Sequence, residues 1–70
     1  MDTHVYKVVE LVGTSDKGIS EAVENALERA SRTIRNIRWF ETLQVRGSVE
    51  DGKVGEFQVT LKVGFTLDAG

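Results

Sequence analysis

The residues of this chain that can do chemistry are few, and they favour non-covalent recognition. There is no cysteine and a single histidine, His4. Disulfides, thiolate metal sites and histidine clusters are therefore excluded. No general base, nucleophile or metal set stands out. The one tryptophan, Trp39, offers a broad π-face; the glutamines, Gln58 among them, offer amides that both donate and accept; and the arginines, Arg46 among them, offer planar cations. Each also has an ordinary explanation. A lone tryptophan at a helix–strand junction is more often core, a glutamine on an outer strand face is usually solvated, and an arginine can serve an ion pair between subunits.

The elements that would position these residues are legible from periodicity. A first strand is expected from about Thr3 to Val12, with Val5, Val9 and Leu11 on one parity and Tyr6, Val8 and Val12 on the other. Both faces are thus partly apolar, unlike a strand with one wet face. Gly13-Thr14-Ser15 reads as a break, with Ser15 as a helix N-cap. Ile19, Ala22, Val23, Ala26, Leu27, Ala30, Ile34 and Ile37 then recur at three- and four-residue steps, predicting a helix with one apolar face. Its other face runs from Glu21, Glu24, Asn25 and Glu28 to Arg29, Arg32 and Arg35, an order suited to the helix dipole. Glu28 can pair with Arg32 one turn on.

Two strands follow, roughly Arg38 to Ser48 and Lys53 to Leu67, joined by the hairpin signal Asp51-Gly52. The last alternates cleanly. Phe57, Val59, Leu61, Val63, Phe65 and Leu67 point one way, and Glu56, Gln58, Thr60, Lys62, Gly64 and Thr66 the other. Phe40 and Val45 are both core candidates but differ in parity. A bulge between them resolves the conflict and sends Trp39 and Arg46 to the outer face; Leu43 has no evident place. A fully antiparallel sheet requires the last strand in the centre, in the order first–third–second. The class is α+β, β-α-β-β, one domain over 1–70. One sheet face takes the helix. The other, with Trp39 and Gln58, has nothing in the chain to cover it and is the expected surface for partners or ligand.

Size and composition narrow the classes further. A core built from 70 residues rarely supplies more than roughly 3–5 kcal/mol, so oligomerisation is expected. The net charge of −2, with basic residues spread out, argues against nucleic-acid binding. No apolar run is long enough to span a bilayer. Met1-Asp2-Thr3-His4 does not resemble a secretory leader, and the lack of cysteine suits a cytoplasmic location.

Several segments, in order, resemble the dodecin family along nearly the whole length. They are Val9-Glu10-Leu11-Val12-Gly13-Thr14-Ser15, Trp39-Phe40-Glu41 directly after the helix, Val45-Arg46-Gly47, and Phe57-Gln58-Val59-Thr60-Leu61-Lys62-Val63-Gly64-Phe65. The resemblance implies a three-stranded antiparallel sheet wrapped around one helix and assembled as a homododecameric shell. It implies flavins, FMN or riboflavin, stacked in pairs between a tryptophan from each of two subunits. Trp39 matches that tryptophan, Gln58 a glutamine that bonds the flavin ring edge, and Arg46 a basic residue near the phosphate tail. The chain departs from the pattern at Arg38, where an acidic residue is common, and at Thr66, where arginine is common. The implied role is storage, scavenging and photoprotection rather than turnover.

Other readings are open to test. Tautomerases build oligomers from similar short chains, but use an N-terminal proline amine, and this chain has no proline. A shell for another planar ligand, such as coenzyme A, and a purely structural oligomer are the remaining alternatives.

Overall fold

The central strand is where the alternating pattern is strongest. The computed structural model describes residues 3–67, so the leader reading at Met1 and Asp2 lies outside the described residues. The elements are β1 (Tyr6–Ser15), α1 (Ile19–Ser31), β2 (Ile37–Glu50) and β3 (Lys53–Thr66). They form one sheet in the order β1-β3-β2, with both pairings antiparallel. The β-α-β-β order and the α+β class stand as read. Val59, Leu61 and Val63 on β3 are fully buried and form the middle of the core. A strand flanked on both sides gains most from burying one parity.

The helix meets this core through small side chains. Ala22, Ala26 and Ala30 are its buried positions, with Val23 and Leu27 beside them. Alanine lets the helix backbone approach the sheet closely, and β1 accommodates it with Gly13. A Cβ on Gly13 would collide with the Ala22 carbonyl oxygen and stand 2.8 Å from the Ala26 Cβ. Gly13 therefore lies inside β1 as a point of close approach, not as the break its sequence suggests. β1 runs to Ser15 for that reason.

Two other expectations are corrected. The helix N-cap is Gly18, without a side-chain cap bond. Ser15 instead forms the turn before it. Its Oγ accepts the Lys17 and Gly18 N–H groups at 2.9 and 3.4 Å and donates to Glu21 Oε1 at 3.1 Å. At the other end the helix stops at Ser31 rather than running to Ile37. The chain tightens through bonds from Thr33 and Ile34 N–H to the Ala30 carbonyl, then reverses at Asn36 with φ 66°. Asparagine tolerates this left-handed geometry, so it was the stop signal. Ile37 keeps its apolar role but packs on the core from β2, and Arg35 lies past the helix. The pair Glu28–Arg32 forms at 3.0 Å on an exposed surface, worth at most a few tenths of a kcal/mol.

The hairpin turn is as expected: Asp51 and Gly52 both have positive φ, 52° and 74°, matching the twist of the strands they join. The bulge is present too. Thr42 pairs with Leu61 and Gln44 with Thr60, which leaves Leu43 as the extra residue and gives it a place. Phe40 and Val45 consequently share the helix side, opposite Val63 and Val59. They are not core within one chain, however. Phe40 is 48% and Val45 46% exposed, because α1 packs on β1 and β3 and leaves β2 bare beyond Ile37. The chain is drawn out accordingly. Its radius of gyration is 14.6 Å, against about 11 Å expected for a compact domain of this length.

Candidate functional site

The outer face carries the residues of interest, and β3 sets their register. Gly64, Lys62, Thr60 and Gln58 face outward along β3. Trp39 pairs with Gly64, after a register shift that leaves Arg38 unpaired and aims the tryptophan outward. The six-membered ring of its indole occupies the space above Gly64. A Cβ there would stand 2.7 Å from Cδ2 and closer still to Cε2 and Cζ2. Tyr6 on β1 borders the ring, with centroids 6.0 Å apart and planes tilted by 60°. The indole thus lies across the sheet while remaining 37% exposed. Val8 and Val12, exposed on the same face of β1, continue the apolar surface.

Gln58 and Arg46 are brought together, as neighbours in register on β3 and β2. Arg46 Nε donates to Gln58 Oε1 at 3.3 Å, and Arg46 Nη1 donates to Gln44 Oε1 at 3.4 Å. Gln58 Nε2 donates to Glu56 Oε2 at 3.0 Å. This row fixes which way the Gln58 amide points. It leaves that amide one N–H and one oxygen lone pair for a further partner. Among the described residues Arg46 forms no ion pair, so its charge remains available to an anion.

Trp39 and Gln58 are not brought together within one chain. They sit six residues apart along β3, about 20 Å at the usual rise of a strand. Thr66 lies at the Trp39 end, paired with Tyr6, and Arg46 at the other. Sequence reasoning missed Gly64, Tyr6, Gln44 and Glu56 as neighbours of these side chains. A glycine inside a regular strand was the one available signal, since it marks a close approach.

Elsewhere, a groove of about 630 Å³ runs between β1 and α1, past Leu11, Thr14, Asn25, Arg29 and Arg32. It holds none of the three candidate residues. Among the described residues no group of three or more His, Cys, Asp or Glu side chains is placed to hold a metal ion. No described helix is long and apolar enough to cross a membrane.

Comparison with known proteins accords with this architecture. The family model for Dodecin matches residues 5–68. A dodecin of Thermus thermophilus is 50% identical over 64 residues, covering 91% of this chain and 93% of that protein. The structure of a dodecin from Streptomyces coelicolor superposes with a TM-score of 0.94 at 53% identity, covering 100% of both chains. A more distant structure, at 26% identity and a TM-score of 0.80 over 94% of each chain, is that of a Mycobacterium tuberculosis antigen described as a calcium dodecin with a calcium-binding site. By its matched length, its identity to these relatives and its β1-β3-β2 sheet with one helix, this chain belongs to the dodecin family.

Proposed function

We propose that this chain binds flavin, as riboflavin or FMN, and stores and shields it in a homododecameric shell without catalysing a reaction. The observation that carries the reading is the exposed indole of Trp39, laid across an otherwise uncovered sheet face. An isoalloxazine ring is broad, flat and apolar on its faces, and indole is well matched to stack on it. The residues fit the group in three further respects. The Gln58 amide retains one donor and one acceptor for the mixed polar edge of the ring. Arg46 retains its charge for a phosphate tail. Tyr6, Val8 and Val12 supply apolar surface around the indole.

The spacing of about 20 Å between Trp39 and Gln58 exceeds what one ring spans. A site that uses both is therefore assembled from more than one copy, which ties ligand binding to the oligomer. Two further observations support assembly: the bare helix side of β2 with Phe40 and Val45, and the drawn-out shape of the chain. In the proposed assembly, two Trp39 side chains related by a two-fold axis would enclose a stacked pair of flavins, one per chain. When bound, flavin supplies an aromatic ring that absorbs blue light and accepts an electron once excited. Trp39, in contact with that ring, would supply the electron donor that returns it harmlessly to the ground state. A cysteine-free chain is suited to work of this kind in the cytoplasm.

Titration of the purified oligomer with riboflavin tests the proposal. Flavin emission is expected to be quenched up to one flavin per chain. Undiminished emission at micromolar protein would overturn it. Coenzyme A, a different planar ligand for the same kind of shell, would register as bound adenine absorbance with no flavin band.

A further inference from the structure

Trp39 is held on the outer face by a position that has no side chain. Gly64 pairs with Trp39 on one flank and Val8 on the other, and is buried. Its backbone does not demand glycine. The positive-φ residues among those described are Asn36, Asp51 and Gly52, so alanine could adopt the backbone of Gly64 without strain. Alanine would even suit a strand interior better, since glycine there loses more freedom on folding. What glycine supplies is room. A Cβ at this position would lie 2.7 Å from Trp39 Cδ2 and nearer to Cε2 and Cζ2. Carbon atoms rest about 3.5–4.0 Å apart, so the ring would have to rise by about 1.5 Å or swing aside. Indole is rigid and turns on two torsions, so it moves as a plate.

We infer that Gly64 is a positioning residue for ligand stacking: it sets the height of the Trp39 indole above the sheet, and hence the width of the slot that two such indoles bound. The inference rests on the reading of Trp39 as a ligand platform. In a slot bounded by two symmetry-related indoles any displacement occurs twice, and a stack of planar rings has no slack to absorb it. Gly64 acts through Trp39 alone and touches the ligand only by leaving the indole where it lies.

The test is a double-mutant cycle of Gly64→Ala and Trp39→Ala, read by tryptophan emission, molar mass, Tm and riboflavin affinity. Because Trp39 is the sole tryptophan, its emission in flavin-free protein reports the seat directly. Gly64→Ala is expected to shift that emission, to keep the oligomer and its Tm, and to weaken riboflavin binding tenfold or more. In the Trp39→Ala background the same substitution is expected to change affinity less than twofold, since neighbours that act through one another are not additive. Unchanged emission and unchanged affinity would overturn the inference, as would an equal loss in both backgrounds. Should Gly64→Ala fail to assemble, the double variant must assemble again once the indole is gone, and its failure to do so would also overturn the inference. If Trp39→Ala leaves riboflavin affinity intact, the flavin reading fails instead, while the emission of flavin-free Gly64→Ala still tests the seat.

Discussion

Gly13 and Gly64 lie on opposite faces of the same sheet, and each leaves space that a methyl group would fill. Above Gly13 stands the Ala22 carbonyl, part of the helix backbone; above Gly64 stands the indole of Trp39. A helix backbone cannot step aside without moving the whole element, whereas a side chain can. The first glycine therefore belongs to the fold and the second to the surface proposed to recognise a ligand. A similar contrast divides the helix side of the sheet. Val59, Leu61 and Val63 on β3 are sealed beneath α1, while Phe40 and Val45, one strand over and on the same side, remain open. Equally apolar residues are thus core within the chain on β3 and available for contact between chains on β2.

The largest effect is expected where the backbone cannot yield. Gly13→Ala should cost about 3 kcal/mol, the upper end for overpacking a close contact. A core of this size supplies little more than that, so the isolated chain should not fold. Circular dichroism and thermal unfolding measure this directly, and a wild-type melting curve for Gly13→Ala would erase the difference between the two glycines.

A substitution on the open half of the helix side should act on assembly. Val45→Lys removes an apolar side chain worth roughly 1.5–3 kcal/mol when buried and puts an ammonium in its place. The penalty recurs in every copy of a symmetric oligomer. Light scattering on wild type should show one species near twelve chain masses, and Val45→Lys should lose it. Retention of that species would mean that this half of the sheet stays exposed in the oligomer.

The smallest effects are expected at the two ends of the outer face. An arginine–phosphate bond contributes roughly 1.5–3 kcal/mol, and a neutral hydroxyl bond about 0.5–1.5 kcal/mol. With Arg46 retained and Thr66 in place of a second basic residue, FMN should be preferred over riboflavin only weakly, and less so as salt rises. Paired titrations should show Thr66→Arg strengthening FMN binding alone and Arg46→Ala abolishing the preference. Because Arg46 also holds the Gln58 amide, Arg46→Ala should in addition weaken riboflavin by a smaller factor. A hundredfold FMN preference that survives Arg46→Ala would place the phosphate on other residues.

These regions were not equally legible in the sequence. The sheet order, the Asp51-Gly52 turn and the bulge between Phe40 and Val45 were readable, because alternation and turn chemistry are local signals. The helix end was not. Ile34 and Ile37 continue a helical period by coincidence, since Ile37 serves the same core from a strand. Gly13 reads as a break because glycine's two uses, turn and close approach, look alike until the helix above it is in place. The outer-face positions of Trp39, Gln58 and Arg46 follow from parity and the bulge, but parity does not carry their distance apart. It follows only from the register of β3, where six residues separate the Gln58 and Gly64 pairings.

The most direct test of the account is a riboflavin titration of wild type and Trp39→Ala side by side, following flavin emission and molar mass together. Wild type is expected to quench one flavin per chain in a species near twelve chain masses. Trp39→Ala should keep that mass while its affinity falls more than tenfold, because stacking contributes about 0.5–1.5 kcal/mol per aromatic pair beyond the area buried. Equal affinity and equal quenching in the two proteins would contradict the claim that Trp39 is the surface on which flavin rests.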